Sequence, residues 1–152
     1  YRIDMNPITG GCQCGRVRYA MGVDRVQKPH VCHCRMCQKA TGGLFAALAG
    51  CAKIDLAWTL GEPVFFASSN LATRGFCGDC GTPLTFAYNT PDARIYVTIG
   101  SLDDPELASI ELQYGLEAKI SWVKFCEDVP GEITGNDPAA QAFLADMTSN
   151  QA

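Results

Sequence analysis

The chain has 152 residues and a formal charge of −4, with 47% hydrophobic and 18% charged residues, the balance of a globular domain rather than a disordered one. The acidic balance argues against a nucleic-acid backbone as main partner, which calls for a basic patch, and no run is long and apolar enough for a membrane-spanning helix. Nine cysteines, an odd number, cannot all close into intramolecular disulfides; seven of them fall into CxC, CxCxxC and CxxC clusters, a habit of metal sites, and the expected context is reducing, hence cytoplasmic. The chain opens at Tyr1 rather than Met, which leaves a missing start or a removed leader open.

Residues 1–11 read as a lead-in ending in a turn, punctuated by Pro7 and Gly10-Gly11. Cys12 and Cys14 follow, and in an extended segment residues two apart point to the same side. Residues 16–21 form a period-two strand, with Val17, Tyr19 and Met21 inward and Arg16 and Arg18 outward. Gln27-Lys28-Pro29 turns the chain into Cys32-His33-Cys34-Arg35-Met36-Cys37, and Gly42-Gly43 closes that stretch. The apolar run 44–51 reads as a buried strand because glycines punctuate both sides. Strands follow over 54–60 and 64–67, separated by Gly61-Glu62-Pro63, with a loop at 68–70.

Arg74-Gly75-Phe76 leads into a knuckle, Cys77-Gly78-Asp79-Cys80-Gly81, a tight turn in which Gly81 can take a positive φ at little cost. Strands are expected over 84–88, 95–99 and 110–114, with a short extended piece over 122–125. Asp103-Asp104-Pro105-Glu106 opens a short helix, Asp as cap and Pro at its first position. Asp137-Pro138 starts a C-terminal helix over 138–147, whose stripe of Ala140, Phe143, Leu144 and Met147 is expected to pack on the core. The whole reads as one mainly β domain with short helices spanning residues 1–152 and a core over about 8–130.

Three thiols within six residues have no packing rationale, because a buried Cys is only a small apolar residue. Convergence on a soft cation does explain them: Zn²⁺ prefers sulfur and nitrogen and takes four ligands in a tetrahedron. Cys12, Cys14, Cys77 and Cys80 offer four thiolates, and Cys32, Cys34 and Cys37 offer three. Two zinc ions per chain, one saturated and structural, one with an open position, is the economical reading. Spacing equally allows Cys32, Cys34, Cys77 and Cys80 to share an ion.

Three ordered segments carry a resemblance: Gly11-Cys12-Gln13-Cys14-Gly15-Arg16-Val17-Arg18-Tyr19, then Cys32-His33-Cys34-Arg35-Met36-Cys37-Gln38-Lys39, then Arg74-Gly75-Phe76-Cys77-Gly78-Asp79-Cys80-Gly81-Thr82-Pro83-Leu84. They resemble the glutathione-dependent formaldehyde-activating enzyme family, which includes the centromere protein V type domain, over roughly residues 8–130. The resemblance implies a zinc-bound β-tent fold. It implies a structural ion on Cys12, Cys14, Cys77 and Cys80, and a second on Cys32, Cys34 and Cys37. It also implies carbon–sulfur lyase chemistry that joins glutathione to formaldehyde. The cysteines at 32, 34 and 37 would then act in catalysis as ligands of the open zinc.

Other candidates have plainer readings beside functional ones. His30 and His33 could complete the zinc site or move a proton, but suit loop residues or outer donors better. Gln38, Lys39 and Thr41 could orient a substrate, though a solvated loop is the simpler account. Cys51 and Cys126 read as buried apolar residues, with Cys51 a candidate to close the second site. Arg74 and Asp79 read as a surface pair, and Trp58 and Trp122 as core aromatics. The leading functional reading is a zinc enzyme acting on a thiol adduct, glutathione with formaldehyde or a related small aldehyde. The other two are a zinc-stapled binding module without chemistry, and a redox or metal-buffering protein using the thiols at 32–37.

Overall fold

A computed structural model describes residues 6–124 and 130–149. Ten strands make up most of it: β1 (Ile8–Gly11), β2 (Arg18–Met21), β3 (Gln27–Cys32), β4 (Ala46–Ala52), β5 (Leu56–Leu60), β6 (Val64–Ala67), β7 (Ala72–Phe76), β8 (Pro83–Tyr88), β9 (Arg94–Thr98) and β10 (Leu112–Tyr114). Two short helices join them, α1 (Arg35–Thr41) and α2 (Pro138–Leu144). A three-stranded sheet runs β1-β2-β5, and a seven-stranded sheet runs β10-β3-β4-β9-β8-β7-β6. All pairs are antiparallel except β10 with β3. The mainly β single domain with short helices is what the alternating patterns predict.

The two faces of the large sheet have separate tasks, and β4 shows how. Successive strand residues point to opposite faces. Ala49 and Cys51 join the main core, with Tyr19 and Met21 of β2 and Val97 of β9. Ala46 and Leu48 point the other way, into a second cluster with Cys37, flanked by Cys32, Cys34, Phe86 and Tyr96. The small sheet covers the first face. Within it Tyr19 is fully buried and hydrogen-bonds Ser101 Oγ at 2.8 Å. Arg18 reaches Asp103 with both terminal nitrogens, and Thr9 Oγ1 donates to the same carboxylate at 2.6 Å. The expected outward Arg18 is therefore half-buried and tied down.

Several expectations are corrected. The lead-in holds a strand, β1, because Ile8 and Gly10 can turn inward against β2. Gln27-Lys28-Pro29 is part of β3, which accommodates it with a bulge between Gln27 and His30 and a positive φ at Lys28. The run 44–51 becomes a strand only at Ala46, with Leu44 exposed. Residues 53–55 form a single 3-10 turn that leaves Ile54 93% exposed, so the next strand starts at Leu56. Trp58 packs against the core, edge to face with Tyr19 at 5.9 Å, but Trp122 is 66% exposed. Helix α2 ends at Leu144, and Phe143 and Met147 face solvent, so the stripe is not core. Asp104 does cap the turn at Pro105–Leu107, and Asp137 caps α2. Phe125 and Cys126 lie outside the described residues.

Candidate metal centres

The sulfur atoms of Cys12, Cys14, Cys77 and Cys80 all lie within 4.8 Å of one another. Cys12 and Cys14 are 3.5 Å apart and Cys14 and Cys77 are 3.8 Å apart. Zn–S bonds of about 2.3 Å in a tetrahedron put sulfurs about 3.8 Å apart, and a disulfide would need about 2.05 Å. The donor set therefore fits a zinc ion. Cys12 and Cys14 follow β1, and Cys77 and Cys80 follow β7, so this cluster joins the small sheet to the large one. The knuckle closes with Gly81 N–H on Cys77 O at 2.8 Å, and Gly81 takes φ 78°. Gln13 N–H donates to Thr82 Oγ1 at 3.0 Å, and that hydroxyl donates to Cys80 Sγ at 3.2 Å. The Thr82 bond pulls the Cys80 thiol down to about 6. The Arg16 N–H favours ionisation at Cys14, but desolvation and the three neighbouring thiols prevail and push it up to about 12. Several thiols in one space cannot all ionise without a cation among them.

The second cluster is Cys32, Cys34 and Cys37, also within 4.8 Å of one another. Cys32 ends β3; Cys34 is the N-cap of α1, its sulfur accepting from Cys37 N–H at 3.4 Å; Cys37 lies one turn further on. The sulfurs thus occupy a strand end, a cap and a first helical turn, and all face the second side of the large sheet. Burial pushes Cys32 up to about 12. At Cys34 the effect of burial is outweighed by the Cys37 N–H, the neighbouring thiols and the Arg74 charge, and the thiol lies below its usual range.

Several residues around this cluster escape a reading by spacing. Arg74 is 7% exposed, and its Nη2 donates to Cys37 Sγ at 3.4 Å while the guanidinium lies 4.8 Å from the Phe86 ring centre. It does not pair with Asp79, which meets Arg16 at 3.2 Å on the surface. Gln38 is buried in α1 rather than solvated, and its Nε2 donates to His33 O at 2.7 Å and Ala118 O at 3.2 Å. Thr41 Oγ1 donates to Cys37 O at 2.9 Å, while Lys39 is exposed. His33 is buried and bonds Gln113 Oε1 through Nε2 at 2.8 Å. His30 donates from Nδ1 to Lys28 O at 2.7 Å, and burial holds its imidazole below the usual histidine range. Neither histidine joins a ligand group, and neither does Cys51, which faces the main core on the opposite side of β4.

A cavity of about 520 Å³ opens on the second cluster, lined by all three cysteines, Arg74, His30 and an apolar wall. The wall comes from register: Arg74 pairs with Phe86, and Phe86 with Tyr96, in one cross-strand row. His30 meets Tyr96 and Tyr114 edge to face at 5.1 and 4.9 Å. The available signal was the period of β9, which sets Tyr96 opposite to Ile95 and Val97 and so away from the core.

Fold and site together define a mainly β protein with two thiol clusters of metal-holding geometry, one with four donors and one with three beside a cavity. The family profile described as glutathione-dependent formaldehyde-activating enzyme matches residues 7–117, and the chain belongs to that family. Among solved structures, a crystal structure of a Rhodobacter sphaeroides protein, a structural genomics target, shares the fold. It is 20% identical, with a TM-score of 0.54, and the match covers 71% of this chain and 100% of that one. No helix among the described residues is long and apolar enough to cross a membrane.

Proposed function

We propose that this chain joins a thiol to a small aldehyde, and runs the reverse carbon–sulfur lyase step, on the model of glutathione with formaldehyde or a related small aldehyde. One observation carries the reading: a cluster of three thiols, one short of a tetrahedral set, lines a cavity large enough for a substrate. The family description supplies the two reactants. In this reading Cys12, Cys14, Cys77 and Cys80 hold a structural zinc, Cys32, Cys34 and Cys37 hold a second, and residues 1–152 act as one domain in the cytoplasm.

Zinc bound at the second cluster would supply an electrophilic position at which a substrate thiol gives up its proton. The chain's own residues do the rest. Arg74 offsets part of the negative charge of the thiolates from beneath Cys37. Gln38 braces the segment between Cys32 and Cys34 through His33 O. His30 keeps its proton on Nδ1, against Lys28 O. The apolar wall would leave little water beside a bound aldehyde, whose hydration competes with addition of the thiol. In the net reaction a sulfur–carbon bond forms, the carbonyl π pair moves to oxygen, and oxygen takes the proton the thiol released.

Metal loading tests this. The expected outcome is two metal ions per chain, and a cobalt-loaded protein whose visible bands shift on adding glutathione at one ion only. Bands that ignore glutathione would sink the reading and leave a zinc-stapled module.

A further inference from the structure

Glutathione presents paired carboxylates and an ammonium group. The cavity beside the three thiols offers Ser68 and Ser69 at its lining but little charge for them. Among the described residues lining it, Arg74 alone carries a formal charge at neutral pH apart from the thiols themselves. That guanidinium is already engaged, by Cys37 Sγ on one side and the Phe86 ring on the other, and its Nε is sealed from solvent. Moving a carboxylate from water to such a wall without a partner is costly. What the wall does offer is flat apolar area: Leu48, Leu71, Phe86, Tyr88, Tyr96 and Tyr114. The rings there stand edge to face, His30 against both Tyr96 and Tyr114, and Phe86 against Tyr88 at 5.1 Å. Such a set accepts another ring at little cost in side-chain order. The space is also far larger than formaldehyde needs, at about 520 Å³.

We infer that the favoured substrate is a hemithioacetal carrying an uncharged, aromatic-sized apolar group, seated in this cavity with its sulfur toward Cys32, Cys34 and Cys37. The inference rests on the thiol–aldehyde reading given above and names the substrate class for it. The apolar group can enter on the thiol or on the aldehyde. In either case the step balances as before: one S–C bond forms, the C=O π pair goes to oxygen, and the thiol proton ends on that oxygen.

The test uses the cobalt-loaded full chain and three preformed mixtures: glutathione with formaldehyde, glutathione with phenylethanal, and phenylmethanethiol with formaldehyde. Apparent Kd is read from the cobalt bands. One of the two aromatic mixtures is expected to bind about tenfold or more tightly than glutathione with formaldehyde, and which one identifies the side that carries the ring. Leu71→Arg adds a cation at a cavity position that is 62% exposed, where folding tolerates it. It is expected to strengthen the glutathione–formaldehyde mixture relative to phenylmethanethiol with formaldehyde, which carries no carboxylate for the new cation to meet. Glutathione with formaldehyde binding as tightly as both aromatic mixtures would overturn the inference and leave the thiol–aldehyde reading intact. So would an unchanged ratio of glutathione with formaldehyde to phenylmethanethiol with formaldehyde in Leu71→Arg. Cobalt bands that respond to none of the mixtures would overturn both.

Discussion

A guanidinium buried beneath three thiols is explained by what it touches. Arg74 sits on β7, its charge against Cys37 Sγ and its plane near Phe86. A buried cation needs an anion, and a thiolate supplies one. Arg74→Met is expected to weaken metal binding at Cys32, Cys34 and Cys37 by about 10–100-fold, leaving the four-cysteine cluster unaffected. Arg74→Lys restores little, because an ammonium lacks the flat fork that reaches sulfur and stacks on a ring together. Competition with a chromophoric chelator measures both. The seven clustered cysteines stood out from spacing alone, but spacing also allowed Cys32, Cys34, Cys77 and Cys80 to share an ion; the fold groups their sulfurs as four and three. Arg74 did not stand out, because its partner is 37 residues away on α1, and only the packing of that helix against the large sheet brings them together. Read in one dimension, it looked like a surface partner for Asp79, five positions along.

Among the elements, strands were the most legible, because period-two alternation reports directly on a two-faced sheet. Helix α1 was hidden for the opposite reason: seven residues without an apolar stripe give no helical period. Its start is set by a thiol acting as N-cap, a task usually given to Ser, Thr, Asp or Asn. Helix α2 misled in the other direction. Its sequence has a stripe, but the helix packs on the turn at residues 134–136 and Phe143 stays 85% exposed. Amphipathic spacing shows which side could be covered, not that anything covers it. The segment after β10 holds α1 in place by close backbone approach. Gly115 has φ 67°, and a Cβ there would come within 2.9 Å of Cys34 N. Gly115→Ala is expected to cost about 1–2 kcal/mol from the backbone conformation alone. The displaced Cys34 adds a selective loss of metal at the three-cysteine site. Thermal unfolding and metal content per cluster would show the two effects, and retained metal at both sites would contradict the second.

At the scale of the whole molecule, the proposed metal centres would tie the fold to protons. In the metal-free chain Cys14 and Cys32 lie at about 12, so both are protonated at neutral pH. Metal binding must displace those protons, so apparent affinity rises with pH and falls on acidification. The sign for stability follows. Thiolates on a metal have pKa values below the unfolded value of about 8.5, so their contribution is complete above that value and is lost as pH falls through the bound-state pKa. Zinc release followed by a chelating dye between about pH 8 and pH 5 is expected to accompany a drop in Tm. A Tm independent of both pH and chelator would show that the fold does not depend on the ion.

The four-cysteine cluster also has a timetable. Cys14 and Cys77 are 63 residues apart, and at about 5–20 residues per second a ribosome needs roughly 3–13 s to add the second pair after the first. A nascent chain therefore carries Cys12 and Cys14 as a lone, weak pair while most of both sheets is being made. The clasp can shut only after Cys80 has emerged. With the metal proposed for this cluster, a cell short of it would accumulate chains whose strands are nearly all synthesised but whose two sheets are not yet fastened, a form exposed to proteases late in biogenesis rather than early.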